Sequence, residues 1–193
     1  MIVPSLPQAL LLFFLGGVFL YFMQAGARTF YWQELSNEIP AQTAGILFIF
    51  TGTIPIWFVG LHQMIRPLNG IAGAALLVSS VSLYEWARHA IWGRRFGIGW
   101  GEHVPEEVCS NGPYRLVRHP IYLSYLLAWL AALIALPHWL TAAILALNAT
   151  LFILLAFDDE RKLAASPLAA DYAVYRQRTG MFFPRFSSRA PGR

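Results

Sequence analysis

The sequence predicts an all-α membrane protein, a polytopic helical bundle of five transmembrane helices with a C-terminal cytoplasmic helical tail. Hydrophobic residues make up 57% of the 193-residue chain, and charged residues only 12%. The apolar residues are gathered into blocks, each close to the roughly 20 residues that a helix needs to cross a bilayer. Basic residues concentrate between and after these blocks, as they do on cytoplasmic faces. We expect one membrane domain over residues 1–193.

The five apolar blocks occupy most of the chain up to residue 157. Residues 9–92 hold three of them, at 9–27, at 44–62 with Pro55 inside it, and at 68–92. A proline is tolerated in a membrane helix because neighbouring groups satisfy the freed carbonyl. The last two blocks form the segment 121–157, where only Pro137 and His138 separate them. We therefore expect these two helices to form a tight antiparallel hairpin.

Charge predicts the orientation. The connector 93–120 carries four arginines, and the tail 158–193 carries six arginines and one lysine. Both segments should face the cytoplasm, with the N-terminus outside, as in a protein of the cell (inner) membrane. The net charge of +4 therefore indicates a membrane face, and no run of basic residues interleaved with aromatics suggests nucleic acid. The single cysteine, Cys109, excludes an internal disulfide, and no metal-site spacing occurs around it.

Polar residues converge in two segments, NGPYRLVRHPIY at 111–122 and DDER at 158–161. Pro120 suits the first turn of the fourth helix, whose free N–H groups beside Arg118 favour a carboxylate or phosphate. The acidic cluster, Asp158, Asp159 and Glu160, directly follows the predicted fifth helix, where negative charge is unfavourable. Because the hairpin brings the two segments together, a ligand with an anionic and a cationic end, such as S-adenosylmethionine, would fit. Taken alone, Arg115 and Arg118 would also fit positive-inside anchors of a cytoplasmic face, and DDER would also fit the solvated start of a tail helix.

Two further groups of polar residues have both a functional and a structural interpretation. Glu85, Arg88 and His89 lie at helical spacing near the inner end of the third block. This arrangement predicts either a functional site or a local salt bridge. In the tail, Tyr172 and Arg176 share one helix face with Tyr175. This face would cover the site or lie on the membrane surface.

Three stretches resemble a known family: GPYRLVRHPIYLSYLL, DDERKL and DYAVYRQRTGMFFPRF. Together they are similar to the isoprenylcysteine carboxyl methyltransferase family and its relatives among phospholipid N-methyltransferases, over residues 111–186. The resemblance implies a membrane methyltransferase whose tail helps to cover bound S-adenosylmethionine. It implies cofactor-binding roles for Gly112, Tyr114, Arg118, His119, Pro120, Tyr122 and Glu160, to which we add Asp159 from the acidic cluster.

The chain departs from the eukaryotic prenylcysteine enzymes in its expected acceptor site. Their arginine just before the acidic cluster is replaced by apolar residues at 154–156, and Ser124 and Tyr125 occupy the place of an expected acidic residue. A prenylated-protein carboxylate is therefore a poor acceptor. We expect residues 154–156, together with Ser124 on the facing helix, to leave a pocket for a lipophilic amine, thiol or hydroxyl compound, oriented by the candidate catalytic residues Arg176 or Arg88.

Two other functions agree with parts of the sequence. Sterol-type reductases that use NADPH also carry an RHP motif, but it continues as RHPNYxGE, whereas this chain has RHPIYLSY. A non-catalytic lipid-binding membrane protein would need no converging charged residues. The methyltransferase is the function that the sequence favours.

Overall fold

A computed structural model of the chain describes residues 5–29, 54–92 and 107–185. Within these ranges the protein is helical, and the only β-type pairing is an isolated bridge between Val117 and Gly180. The helices are α1 (Leu6–Thr29), α2 (residues 54–62), α3 (Pro67–Ala90), α4 (Pro120–Ala135), α5 (Trp139–Ala164) and α6 (Ala169–Arg178), with a short 3-10 helix at Gly112–Arg115 before α4. The all-α prediction is confirmed for the described residues.

Among the residues that the structure describes, two helices are long and apolar enough to cross a membrane, α3 with 24 residues and α5 with 26. The apolar parts of α1 and α4 are shorter, at Leu6–Phe22 and Pro120–Ala135. Most of the second predicted block and most of the 93–120 connector lie outside the described residues. The membrane bundle is thus supported in outline, while the count of five spans and the sidedness stay predictions.

The ends of the helices follow from local chemistry. Pro67 and Pro120 each stand at the first position of a helix, where the missing N–H of proline costs no hydrogen bond. His138 caps α5, because its side chain accepts a hydrogen bond from the Leu140 N–H, and Thr141 completes the capping box. The predicted hairpin is present, with three residues between α4 and α5.

Helices α3 and α4 pack closely because small residues face each other. A Cβ added at Gly73 would lie 2.9 Å from the Ala135 Cβ, so only glycine permits this approach. Further along, the buried Ser80 hydroxyl donates to the Ser124 carbonyl at 2.6 Å. These two contacts fix α3 against the helix that follows the RHP motif.

The fifth helix is longer than the sequence suggested, and this corrects one prediction. Asp158, Asp159 and Glu160 lie inside α5, which continues to Ala164 rather than ending before them. Lys162 Nζ pairs with Asp158 Oδ2 at 2.8 Å, one turn away, and the basic residues of the last turn match the helix dipole. The expected penalty for an acidic helix C-terminus therefore does not arise.

Candidate functional site

The candidate site is centred on an ion pair between the RHP segment and α5. Arg118 Nε donates to Glu160 Oε1 at 2.7 Å, and the two side chains are only 8% and 5% exposed. The residues are 42 positions apart in sequence, so the α4–α5 hairpin brings them together. The anion expected beside Arg118 is therefore the protein's own Glu160 carboxylate. A buried pair of this kind is strongly destabilised when one partner is removed.

Two aromatic rings stand beside this ion pair at the start of α4, His119 at its N-cap and Tyr122 in its first turn. His119 and Tyr122 are three residues apart, and their rings stack with centroids 5.5 Å apart and planes within 3°. His119 Nε2 lies 3.4 Å from Glu160 Oε1, and the Tyr122 hydroxyl donates to Asp159 Oδ2 at 2.8 Å. The last turns of α5 thus hold both rings through their carboxylates.

The tail lies against the RHP segment through backbone hydrogen bonds. The N–H of Arg118 donates to the Gly180 carbonyl at 2.8 Å, and that of His119 to the Met181 carbonyl at 3.2 Å. The Arg118 guanidinium also donates to the Thr179 carbonyl. One arginine therefore joins α5 and the tail. A side chain at Gly180 would overlap the Phe183 carbonyl, so this turn requires glycine.

A second contact ties α6 to the 3-10 helix. The Tyr175 hydroxyl donates to the Tyr114 carbonyl at 2.7 Å. Burial raises the pKa of both phenols well above the usual value, so both stay protonated at neutral pH. Gly112 begins the 3-10 helix with φ of +55°, a conformation that favours glycine. Gly112 and Tyr114 thus shape the segment that leads into the RHP motif.

Two buried polar atoms of the site make no hydrogen bond within the described residues, the second oxygen of Glu160 and the Tyr172 hydroxyl. Burial, followed by the negative charge of Glu160, raises the pKa of Tyr172. Arg176 Nε lies 3.5 Å from Glu160 Oε2, and the Arg176 side chain is 58% exposed. Glu160 Oε2 thus has only a long contact to a mostly exposed arginine, and incompletely satisfied buried polar atoms are rare in native proteins, so this corner suggests a place for a ligand.

The structure brings most of the expected site residues together and separates one. Arg118, His119, Tyr122, Asp159, Glu160 and Arg176 form one cluster, with Pro120 at the start of α4. Arg88 instead pairs with Glu85 on α3, with Nε 3.0 Å from Oε1, and its guanidinium lies over the Trp92 ring. In the contacts of the described residues, the two candidate catalytic arginines thus belong to different clusters. The salt-bridge interpretation of Glu85 and Arg88 is the one observed.

The expected acceptor pocket beside residues 154–156 is not formed as predicted. Leu154 is 60% exposed on the outer face of α5. Ser124 is fully buried, with its hydroxyl bonded to the Ile121 carbonyl at 2.6 Å. Leu154 therefore does not line a pocket with Ser124, and this part of the prediction is wrong, whereas Ala156 is buried and Leu155 is packed against the core.

Sequence reasoning missed several residues that complete the site. The Thr179, Gly180 and Met181 carbonyls accept hydrogen bonds from the RHP segment, and Phe182 packs against the His119 ring at 5.9 Å. The carbonyl contacts carry no side-chain signature, so the only available signal was their place in the family-like TGMFFP stretch. No group of metal-binding side chains occurs among the residues that the structure covers.

Comparison with known proteins supports the resemblance. A methanethiol S-methyltransferase of a Pseudomonas strain (GM41) is 34% identical over 89 residues, or 45% of this chain. The matched stretch is 33% of that relative's length, so the chain corresponds to only part of it. No solved structure matches the chain. Residues 68–165, about half of the chain and including α3, the RHP segment and the acidic cluster, match the phospholipid methyltransferase family. The chain therefore belongs to the phospholipid methyltransferase family.

Proposed function

We propose that this protein is an S-adenosylmethionine-dependent methyltransferase that methylates a lipophilic acceptor at the cytoplasmic face of the membrane. One observation carries the proposal. Glu160 Oε2 and the Tyr172 hydroxyl are buried and make no hydrogen bond to any described residue, and the mostly exposed Arg176 has its Nε 3.5 Å from Oε2. An acidic oxygen, a phenol and a cation at one point suit the ammonium and carboxylate of an amino-acid end group.

The residues of the cluster fit the cofactor that the family implies. Glu160 Oε2 would accept from the cofactor's ammonium, and Arg176 would pair with its carboxylate. The stacked rings of His119 and Tyr122 lie beside Glu160 and would form an aromatic wall next to the bound cofactor. Asp159 fixes the orientation of Tyr122 through their hydrogen bond. The same residues offer no fork of cations for a dinucleotide phosphate, because Arg118 is already paired with Glu160.

Bound S-adenosylmethionine would supply an electrophilic methyl group, so the protein need only align donor and acceptor in a dry site. The chain has the parts for this task. The tail lies over the RHP segment from Thr179 to Met181, and Phe182 packs on His119, so the tail covers that side of the cluster. The Tyr122 hydroxyl and the Asp159 carboxylate, which share a hydrogen bond, can hold or accept a proton beside the bound cofactor.

The chemical class of the methyl acceptor is supported by the family and by the arginine that is missing before the acidic cluster. The matching relative is named for a thiol substrate, and the family is named for phospholipids. The arginine that prenylcysteine enzymes carry before the acidic cluster is missing from this chain, where residues 154–156 read Leu, Leu, Ala. We therefore propose a lipophilic amine, thiol or hydroxyl compound as the acceptor.

Direct binding of the cofactor tests the proposal. Purified protein in detergent is titrated with S-adenosylmethionine and, separately, with NADPH, by calorimetry. We expect binding of S-adenosylmethionine alone. The Arg176→Gln variant should weaken it about fivefold, the equivalent of about 1 kcal/mol for a solvent-exposed ion pair. Arg178→Gln, two residues further along the same helix, is the matched control and should bind like the parent. Binding of NADPH instead would favour a reductase, and binding of neither would favour a lipid-binding protein.

A further inference from the structure

The three adjacent acidic residues of α5 differ in what neutralises them. Asp158 pairs with a lysine one helical turn away, and Glu160 pairs with Arg118. Asp159 has no cation at salt-bridge distance among the described residues, and its hydrogen bond there comes from a neutral group, the Tyr122 hydroxyl, which donates to Oδ2 at 2.8 Å. Its other oxygen, Oδ1, makes no hydrogen bond to a described residue. Asp159 is therefore the carboxylate of the cluster that can still take a proton.

Asp159 stands at the end of an apolar strip on α5. Phe152 and Ala156 are buried, and Leu155 packs against the same core. Phe152 and Asp159 lie on one face, because they are two helical turns apart, about 10 Å along the axis. Both contact one side chain of α4, since the Tyr122 ring stacks on Phe152 with centroids 5.5 Å apart and its hydroxyl reaches Asp159. An ionisable residue without a cationic partner is costly in such surroundings and usually has a function.

This carboxylate lies beside the corner proposed for the amino-acid end of the cofactor. Asp159 and Glu160 are consecutive residues, and the His119 ring connects their surroundings. It stacks on Tyr122, and its Nε2 lies 3.4 Å from Glu160 Oε1. In S-adenosylmethionine only two methylene groups separate the amino-acid carbon from the sulfonium. A cofactor held at Glu160 by its ammonium would therefore keep its methyl group in the neighbourhood of Asp159.

Methyl transfer to a neutral thiol requires a proton acceptor. The electron pair of the thiol sulfur forms the new S–CH₃ bond, and the S–H proton passes to Asp159 Oδ1. The bond between the methyl carbon and the sulfonium breaks, and its electron pair stays on the cofactor's sulfur, which becomes a neutral thioether. The negative carboxylate and the positive sulfonium thus disappear together, a change that a dry apolar site favours. The carboxyl group afterwards returns its proton to water.

We infer that Asp159 is the general base that removes the proton from the acceptor's nucleophile. The inference rests on the proposed function, because it assigns a role within that reaction. It also narrows the class of acceptor. An alcohol is too weak an acid for a carboxylate base, and an alkylamine is protonated at neutral pH, as lysine is, so it would arrive as a second cation beside the sulfonium. A lipophilic thiol, which is neutral until it loses its proton, fits this site best.

Comparing a thiol with the corresponding selenol tests the role of Asp159. A selenol is ionised at neutral pH and needs no base. The full chain in proteoliposomes is assayed under reducing conditions with octanethiol and with octaneselenol. Asp159→Asn keeps an oxygen that accepts from the Tyr122 hydroxyl but cannot take the proton. We expect it to lower thiol turnover about 100-fold or more, the usual contribution of a general base, and selenol turnover less than about threefold. Asp158→Asn makes the same change at the neighbouring residue and should turn over both like the parent.

Infrared spectroscopy tests the contact without cofactor and without turnover. The S–H stretch of bound octanethiol should move to lower frequency when the thiol donates to Asp159. We expect this shift in the parent and in Asp158→Asn, but not in Asp159→Asn. The spectrum of the thiol-free protein, which contains the Cys109 band, is subtracted. Calorimetric titration should show that Asp159→Asn binds S-adenosylmethionine with the parent affinity.

Three results would overturn the inference: thiol and selenol turnover that change alike in Asp159→Asn, an S–H band that does not shift in the parent, or weakened cofactor binding by Asp159→Asn. The last would make Asp159 a ligand of the cofactor. Failure of the parent protein itself to bind S-adenosylmethionine is a different result and would overturn the proposed function.

Discussion

Replacing Glu160 with glutamine should weaken S-adenosylmethionine binding roughly 10- to 150-fold. The carboxylate has two distinct oxygens: Oε1 accepts from Arg118 at 2.7 Å, and Oε2 is buried without a hydrogen bond. In Glu160→Gln the amide oxygen can still accept from Arg118, but an NH₂ group then takes the position of Oε2. The cofactor's ammonium would lose its charged acceptor. A hydrogen bond to a charged group contributes about 1.5–3 kcal/mol, and 1.4 kcal/mol is a factor of ten in affinity.

The matched control for this variant is Asp158→Asn. It makes the same change of charge two residues away on α5, but Asp158 is 42% exposed and pairs with Lys162 at 2.8 Å. An exposed pair one helical turn apart contributes only about 0.3–0.5 kcal/mol, so binding should change less than threefold. Calorimetric titration of both proteins measures the difference. A Glu160→Gln protein that unfolds at the parent temperature and binds the cofactor with the parent affinity would refute this placement of the ammonium.

Three further predictions concern the tail, the topology and the acceptor. Gly180→Ala should detach the tail, because the added Cβ overlaps the Phe183 carbonyl; amide exchange should then speed up after α6, and unchanged exchange would contradict the docking. With Cys109 removed, single cysteines at Ser5 and Ser187 should label from opposite sides of the membrane, and labelling from one side would exclude five spans with an outside N-terminus. A methyl-transfer assay should show farnesylcysteine analogues turning over more slowly than lipid amines or hydrophobic thiols, whereas efficient turnover of the prenylcysteine would show that the missing arginine is compensated.

Features set by local chemistry could be predicted from the sequence. Pro120 at the start of α4 and the short link at Pro137 and His138 follow from the backbone preferences of those residues, and the structure has both. The approach of Arg118 to the acidic cluster was also predictable, because a short hairpin leaves little freedom in where its two ends lie.

Features set by tertiary contacts could not be predicted. The sequence predicts that α5 ends before its three acidic residues, because negative charge is unfavourable at a helix C-terminus. In the structure α5 continues to Ala164, and Lys162 and Arg118 pair with Asp158 and Glu160 within or beside the helix. The docking of the tail depends on backbone carbonyls such as that of Gly180, which pair with a segment some 60 residues earlier and leave no side-chain pattern. The open space over Gly17 and the close contact at Gly16 differ only through the neighbouring helices, so two adjacent glycines look alike in the sequence.

The most direct test of the central claim is transfer of a labelled methyl group. The full chain in proteoliposomes is incubated with S-adenosylmethionine carrying a radioactive methyl group and with a long-chain thiol or amine, and the organic extract is counted. Our account predicts label in the extracted acceptor, dependent on the protein and strongly reduced in Glu160→Gln but not in Asp158→Asn. The absence of both cofactor binding and label transfer, with NADPH bound instead, would contradict it.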